Sequence, residues 1–174
     1  MKTKELRRDY LDEVVEDWQR ESPELDTSGL AIFGRIFAIW YHMEGRIDRL
    51  LKQFGVPLWG FDVLFALRRV GKPFTLSPTQ LMKACFLTSG AMTHRLDRSE
   101  QQNYIERHHS KDDRRSVDIV LTQSGRELVE KALPVRLEHG LEMLAHLSTS
   151  ENQQLTKLLR KVLANLEELD EANR

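Results

Sequence analysis

The amino-acid sequence predicts a mainly α fold with a small β-wing. Two short helices are predicted on either side of a tight turn at residues 85–87, which is the arrangement of a helix-turn-helix. Two short strand candidates, at 104–108 and 117–121, follow at once with a polar loop between them. Long amphipathic helices precede and follow this region. We therefore expect a winged helix-turn-helix core flanked by N- and C-terminal helices.

Composition places the chain among ordinary globular proteins. It has 174 residues, of which 40% are hydrophobic and 30% charged, and this suits one domain or one domain with appended helices. No run is long and apolar enough to span a bilayer, and the N-terminus does not look like a secretory signal. The single cysteine, Cys85, cannot form an internal disulfide, so we expect a reducing, cytoplasmic location.

The charge is unevenly distributed along the chain. The net charge is −1, yet residues 68–126 carry 11 Lys and Arg against 6 Asp and Glu. A basic centre between acidic flanks is typical of a nucleic-acid footprint in the middle of the chain.

The N-terminal part, residues 1–57, is predicted to hold two helices. The first covers residues 4–20, because apolar residues from Leu6 to Trp18 recur four apart, and Ser22-Pro23 ends it. The second covers residues 30–54 and is apolar around much of its circumference. We expect its tryptophan and phenylalanine residues to pack in the core.

The middle part, residues 58–122, carries the helix-turn-helix and the wing. A helix at 58–70 is followed by a short extended piece at 74–76 and a helix that Ser77 caps and Pro78 opens. Thr88 or Ser89 caps the next helix, and Asn103 ends it in the left-handed conformation.

Residues 123–174 are predicted to form two further helices. The first runs from 123 to about 147, and Pro134 is expected to kink it near Lys131. Ser148 begins a boundary before a last helix with leucines three and four residues apart. Sequence periodicity alone does not separate a dimer interface from an intrachain core here.

The second short helix presents hydrogen-bonding groups away from its apolar side. Thr93, His94 and Arg98 lie opposite Met92 and Leu96, and such a face can enter a DNA major groove. Taken alone, this signal is weak, because most such faces are simply solvated; the motifs on both sides of the helix favour DNA binding.

Five sequence motifs, taken in their order along the chain, make the assignment of a winged helix-turn-helix more specific. They are Leu76-Ser77-Pro78-Thr79-Gln80-Leu81, Met92-Thr93-His94-Arg95-Leu96-Asp97-Arg98, Tyr104-Ile105-Glu106-Arg107, Asp113-Arg114-Arg115-Ser116 and Leu121-Thr122-Gln123-Ser124-Gly125. In order and spacing, residues 58–166 resemble the MarR family of transcriptional regulators. The resemblance implies a homodimer in which the helices of residues 1–57 and 123–174 interlock, with a DNA-binding domain at 58–122.

We expect residues of the wing and of the two short helices to contact DNA. At the wing tip, Arg114 and Arg115 are expected to enter the minor groove, and the family pattern makes Asp113 a brace for the wing. The alternative is a merely charged, mobile loop. Ser77 and Thr79 open a helix and suit phosphate. The base-edge candidates are Ser89, Gly90, Thr93 and His94, and Arg98 is a candidate for phosphate or base.

The N-terminal region resembles the PecS-type, urate-responsive branch of the family. Its motif reads Trp18-Gln19-Arg20-Glu21-Ser22-Pro23-Glu24-Leu25-Asp26, with Ser22 where the branch usually has arginine. The resemblance implies an effector site formed by Trp18, Asp62, Arg95 and Arg107. An indole can stack on flat urate, and guanidinium groups suit its oxygens. A structural ion-pair network, or a phenolic or aromatic carboxylate effector, remains an alternative.

Other chemistries are weakly supported. Cys85 lies in the helix-turn-helix turn and is expected to be a small buried residue rather than a redox sensor. The six histidines show no zinc spacing, and no phosphate loop or nucleophile elbow is present, so we expect no metal, no cofactor and no enzyme. The function classes left are a ligand-responsive repressor, a constitutive DNA-binding protein, and an enzyme or interaction module on this scaffold.

Overall fold

The computed structural model describes residues 7–109 and 116–173, and it forms two compact units, Met1–Phe61 and Asp62–Arg174. Within the described residues, no helix is both long and apolar enough to cross a membrane. The elements in chain order are α1 (Tyr10–Glu21), α2 (Ser28–Lys52), α3 (Leu58–Arg69), β1 (Thr75–Leu76), α4 (Pro78–Cys85), α5 (Ser89–Gln101), β2 (Ile105–His109), β3 (Val117–Leu121), α6 (Gln123–Met143) and α7 (Thr149–Ala172).

Helix α1 begins later than the sequence pattern predicted. The Asp9 carboxylate accepts from the backbone N–H of Leu11 (2.8 Å) and Asp12 (3.2 Å), and Asp12 accepts from the Asp9 N–H (2.8 Å). This reciprocal cap fixes the start at Tyr10, so the predicted start at residue 4 is wrong for residues 7–9. Arg35 of α2 then holds α1, because its Nε lies 2.9 Å from Asp9 Oδ2 and its Nη2 lies 2.5 Å from Asp12 Oδ1.

The aromatic residues of α2 are not core residues of the single chain. Phe33, Phe37 and Trp40 are 49%, 71% and 48% exposed, and only Ile47 and Leu51 of this helix are buried. The prediction that these aromatics pack in the core is therefore wrong. Periodicity detected an apolar face correctly, but an apolar face that stays exposed in the single chain has the same sequence pattern as one that packs in the chain's own core.

The second unit is built around a three-stranded antiparallel sheet in the order β1-β3-β2. β2 and β3 form the predicted hairpin, with Ile105 opposite Leu121 and His109 opposite Val117. The extended piece expected at 74–76 pairs with β3 as a third strand, β1. Under the sheet lies an apolar core to which the helices contribute Val63, Leu64, Leu67, Leu81, Met92, Leu96, Val129 and Ala132.

Side-chain caps fix the helix-turn-helix. Ser77 Oγ accepts from the Gln80 N–H at 3.2 Å, and Thr88 Oγ1 accepts from the Ala91 N–H at 3.5 Å. Between the two helices, Phe86 adopts the left-handed conformation at φ 54°, and the Leu87 N–H donates to the Met82 carbonyl at 3.0 Å. Asn103 is also left-handed, at φ 60°, as predicted.

Helix α6 runs without a break through Pro134, and the kink expected near Lys131 stays a prediction. The Thr122 cap is confirmed, since its Oγ1 accepts from the Gly125 N–H at 3.0 Å. The helix ends at Met143, four residues before the predicted end. No residue of the 24-residue α7 is buried in the single chain.

One charged cluster fastens the start of the sheet to the helices. Glu130 Oε1 lies 3.0 Å from Arg68 Nε and 2.9 Å from Arg126 Nε. Both guanidinium groups lie over the Phe74 ring, at 5.3 and 5.4 Å from its centre. Since Phe74 directly precedes β1, this cluster holds β1 against α3 and α6.

Candidate nucleic-acid interface and effector site

Helix α5 has a buried stripe and an exposed polar face. Met92, Leu96 and Ser99 are buried, which places one side of the helix against the core. On the exposed side, positions four apart form two adjacent rows, one with Ser89 and Thr93 and the other with Gly90, His94 and Arg98. All five sequence-predicted residues of this helix are therefore brought together on one exposed surface.

The chemistry of this face suits base edges. Thr93 Oγ1 donates to the Ser89 carbonyl at 3.0 Å, which orients the hydroxyl and leaves its lone pairs available to a donor. A Cβ at Gly90 would meet no heavy atom within 4 Å, so this part of the helix can approach another surface closely. His94 adds an exposed ring that can donate or accept.

Ser77 and Thr79 lie at the start of α4, as predicted. Ser77 is the cap of that helix and forms a reciprocal pair with Gln80, whose Oε1 accepts from the Ser77 N–H at 2.8 Å. Thr79 is exposed in the first turn. A helix start with backbone N–H groups and two hydroxyls suits a phosphate oxygen.

The wing is anchored to α5 by Arg107. Its guanidinium on β2 lies 2.6 Å from Asp97 Oδ1 and 2.8 Å from Glu100 Oε2. These two ion pairs join α5 to the middle of β2. Asp113, Arg114 and Arg115, the residues expected at the wing tip, lie outside the described residues.

A second charged group lies beside α5 and centres on Asp62 of α3. Arg95 Nη1 is 3.7 Å from Asp62 Oδ2, which is an ion pair but longer than a hydrogen bond. Burial raises the pKa of Asp62, and the positive charges of Arg95 and Arg136 oppose this rise. Burial lowers the pKa of Arg136, and Asp62 opposes that change. The three charges thus form one electrostatic group.

The four residues expected in the effector site are distributed over separate groups. Asp62 and Arg95 form a pair. Arg107 lies with Asp97 on the opposite flank of α5, because Arg95 and Asp97 are one residue before and one residue after buried Leu96. Trp18 belongs to the first unit, on α1, where its side chain is 48% exposed.

Cys85 is the last residue of α4 and is partly rather than fully buried. Burial, followed by the negative charge of Asp62, raises the pKa of its thiol to about 11. The thiol is therefore protonated at neutral pH and is a poor nucleophile. In the described part of the chain, no group of three or more His, Cys, Asp or Glu side chains is arranged to hold a metal ion.

Sequence reasoning missed Arg136 and the cluster of Arg68, Arg126 and Glu130. A signal for Arg136 exists in the spacing of α6, since Gly125, Val129 and Ala132 are buried and Arg136 continues their 4-3-4 spacing. No local signal exists for the pairing of Arg68 with Glu130, because these residues are 62 positions apart.

Comparisons with known proteins agree with this architecture. The family model described as "MarR family" matches residues 54–116. The transcriptional regulator PecS of Dickeya dadantii is 31% identical over 159 residues, which cover 90% of this chain and 96% of PecS. The repressor MprA of Escherichia coli K12 is 28% identical over 75% of this chain and 76% of its own length.

Among solved structures, the Staphylococcus aureus MepR–DNA complex matches with a TM-score of 0.71 and 26% identity, covering 77% of this chain and 97% of MepR. PecS is related over nearly its whole length, and the described fold contains the helix-turn-helix and the hairpin that the sequence resemblance implied. The chain belongs to the MarR family of transcriptional regulators.

Proposed function

We propose that this protein is a repressor that binds promoter DNA as a homodimer and is released by a small aromatic anion. The observation that carries the DNA-binding part is the exposed polar face of α5, which stands on a buried stripe and begins at a capped helix start. MepR, with which the chain shares 26% identity, was solved on DNA. In this proposal α5 enters the major groove, Ser77 and Thr79 contact phosphate, and Arg114 and Arg115 enter the minor groove.

The proposed homodimer is supported by apolar surface that the single chain leaves exposed. Leu158, Leu159 and Leu166 of α7 are 52%, 44% and 42% exposed, and the aromatic face of α2 is exposed as well. Monomeric proteins rarely present apolar patches of this kind without a partner. A second copy of the chain would cover them and set two DNA-reading helices about one helical turn of DNA apart.

The chain offers a closely matched pair of variants for testing the DNA face. Thr93 on α5 and Thr156 on α7 are both exposed, and each donates its hydroxyl to the carbonyl four residues earlier, at 3.0 and 2.8 Å. We expect Thr93→Ala to weaken binding to a specific promoter fragment by ~1–3 kcal/mol and to leave binding to random DNA unchanged. Thr156→Ala should change neither. Equal behaviour of the two variants in fluorescence anisotropy would remove α5 as the reading helix.

The effector part of the proposal rests on the Asp62–Arg95 pair. The separation of 3.7 Å is longer than a hydrogen bond, and the Asp62 side chain is 41% exposed, so its carboxylate is accessible to a further donor. A flat anion can donate a ring N–H or O–H to Asp62 and accept from Arg95. Since Arg95 is on α5, a ligand that draws it away changes the DNA-reading helix directly, which is the differential binding that allostery requires.

Trp18 and Arg107 enter the proposal through the sequence motifs that they belong to. Trp18 would pack on the face of the anion. Arg107 would transmit a shift of α5 to β2, because its guanidinium on β2 pairs with Asp97 on α5. Urate is the proposed effector, and a phenolic or aromatic carboxylate is the second candidate. The competing function is a constitutive regulator in which the Asp62–Arg95 pair is only structural.

A carboxylate substitution separates these two functions. Asp62→Asn keeps the shape of the side chain and removes its charge, and it lies outside α5. We expect it to reduce release by urate while DNA affinity without urate stays within about tenfold, or roughly 1.4 kcal/mol. Glu130→Gln is the matched control, because Glu130 also lies between two arginines. Equal urate release from wild type and Asp62→Asn would place the effector site elsewhere, whereas no release of either protein by urate or a phenolic acid would favour the constitutive regulator.

A further inference from the structure

Strand β2 turns one of its two sides toward α5. The Arg107 guanidinium on this side lies 2.6 Å from Asp97 Oδ1 and 2.8 Å from Glu100 Oε2. His109 shares that side, because side chains two residues apart on a strand point to the same face. The pairing with β3 is regular from Ile105 to His109, so no bulge interrupts this alternation. His109 is also exposed, and it is therefore an accessible side chain on the α5 side of the hairpin.

The strand also runs back along α5 toward the start of that helix. β2 begins four residues after α5 ends, so it starts at the C-terminal end of the helix. Arg107 reaches Glu100 and also Asp97, which is nearly one turn closer to the helix start. From Arg107 to His109 the strand rises by about 7 Å, and from Asp97 to Thr93, on the same side of α5, the helix rises by about 6 Å. His109 therefore lies toward the Thr93 end of α5.

This position falls between the two parts of the protein that are proposed to enter DNA. Helix α5 enters the major groove with Thr93 on its exposed face, and Arg114 and Arg115 of the wing enter the minor groove. A sugar–phosphate strand separates a major groove from the neighbouring minor groove, so it passes between α5 and the wing tip. His109 lies in the segment that joins these two parts, on the side that faces α5. An imidazole N–H can donate to a phosphate oxygen in either protonation state.

We propose that His109 binds a phosphate of the DNA strand that passes between α5 and the wing. This inference rests on the DNA binding proposed above, and it adds a contact from the strand that leads into the wing. Phosphate contacts fix the orientation of a protein on the duplex but do not identify bases. The loss of His109 should therefore weaken binding to every DNA sequence by the same factor.

His108 supplies a matched control on the other side of the same strand. It is exposed like His109, but its Nε2 lies 3.0 Å from Glu106 Oε2, and in the register it lies opposite Asp118 of β3. Two carboxylates on this side make it unfavourable for a phosphate. Because the two histidines are adjacent, a general effect of removing an imidazole from β2 would appear in both variants.

The test measures the Kd of the full-length protein for a labelled promoter fragment and for a shuffled fragment over a series of salt concentrations. We expect His109→Ala to weaken binding to both fragments by the same factor, about three- to tenfold. His109→Lys should bind both fragments more tightly than His109→Ala, with a salt slope steeper by about one unit. His108→Ala should stay within about twofold of wild type, and His108→Lys should gain less affinity than His109→Lys.

If His109→Ala binds both fragments like wild type, or if His108→Ala loses as much affinity, His109 makes no phosphate contact. A loss confined to the promoter fragment would mean that His109 contacts bases, which also overturns the proposal. If wild type binds neither fragment, the proposed DNA binding fails, and this inference fails with it. If wild type binds both fragments equally, the specific recognition fails, and the comparison of His109→Ala with His108→Ala still decides whether the phosphate contact exists.

Discussion

Gly125 is the position where the packing of α6 on the hairpin can be tested most sharply. A Cβ at this residue would overlap the Tyr104 carbonyl oxygen and would lie 2.9 Å from Leu121 Cδ1. The carbonyl cannot move freely, because it accepts the Thr122 N–H at 3.1 Å. Overpacking in a rigid site costs about 1–3 kcal/mol, and a backbone neighbour places this substitution at the upper end. We therefore expect Gly125→Ala to destabilise the protein by about 2–3 kcal/mol.

The control is Gly90→Ala, since Gly90 also lies in the first turn of a helix capped by threonine, and a Cβ there meets nothing within 4 Å. It should stabilise the protein by about 0.5–1 kcal/mol, because alanine loses less backbone entropy than glycine. Both variants are compared with wild type by thermal denaturation at one protein concentration, where Gly125→Ala should lower Tm by about 4–12 °C. If Gly125→Ala is as stable as wild type, the described contact between α6 and the end of β3 is wrong.

Three further outcomes are expected. Hydrogen bonds from Arg126 and then Arg68 lower the pKa of Glu130 below its ordinary value of 4.5. The ionised Glu130 side chain therefore stabilises the folded protein above pH 4.5, and this stabilisation is lost as pH falls through the lowered pKa. The Tm difference between wild type and Glu130→Gln should shrink below about pH 4.5. The buried Ser99 hydroxyl has no hydrogen-bond partner in the described part of the chain, so Ser99→Ala should stabilise by about 1 kcal/mol in urea denaturation, and a loss of stability would reveal a partner. Leu159→Glu should convert a species of twice 20.3 kDa into one of 20.3 kDa in sedimentation at micromolar concentration, and an unchanged mass would place the interface elsewhere.

The order of the elements was predictable from local sequence signals. Caps at Ser77, Thr88 and Thr122, and the left-handed Asn103, delimit the helices of the DNA-reading unit by interactions that span only a few residues. The start of α1 was missed because Asp9 competes as a cap with an apolar pattern that extends before it.

The sequence could not predict which surface each apolar helix face packs against, or which charged residues far apart in the chain form pairs. The aromatic residues of α2 have the periodicity of a core helix but remain exposed in one chain, as with Phe37 at 71%. The pairing of Asp62 with Arg95 was available only through the family resemblance, and the effect of the Arg136 charge on Asp62 joins residues 74 positions apart. Such contacts depend on how helices pack, which local periodicity does not encode.

The central claim is that α5 and the wing read a specific DNA sequence. The most direct measurement is the Kd for a labelled fragment of the protein's own promoter against a shuffled fragment of equal composition, at one salt concentration. The account predicts that the promoter binds at least ~10³-fold more tightly. It further predicts that Arg115→Ala reduces promoter binding by ~1–3 kcal/mol. Equal Kd values for the two fragments with the wild-type protein would contradict the account.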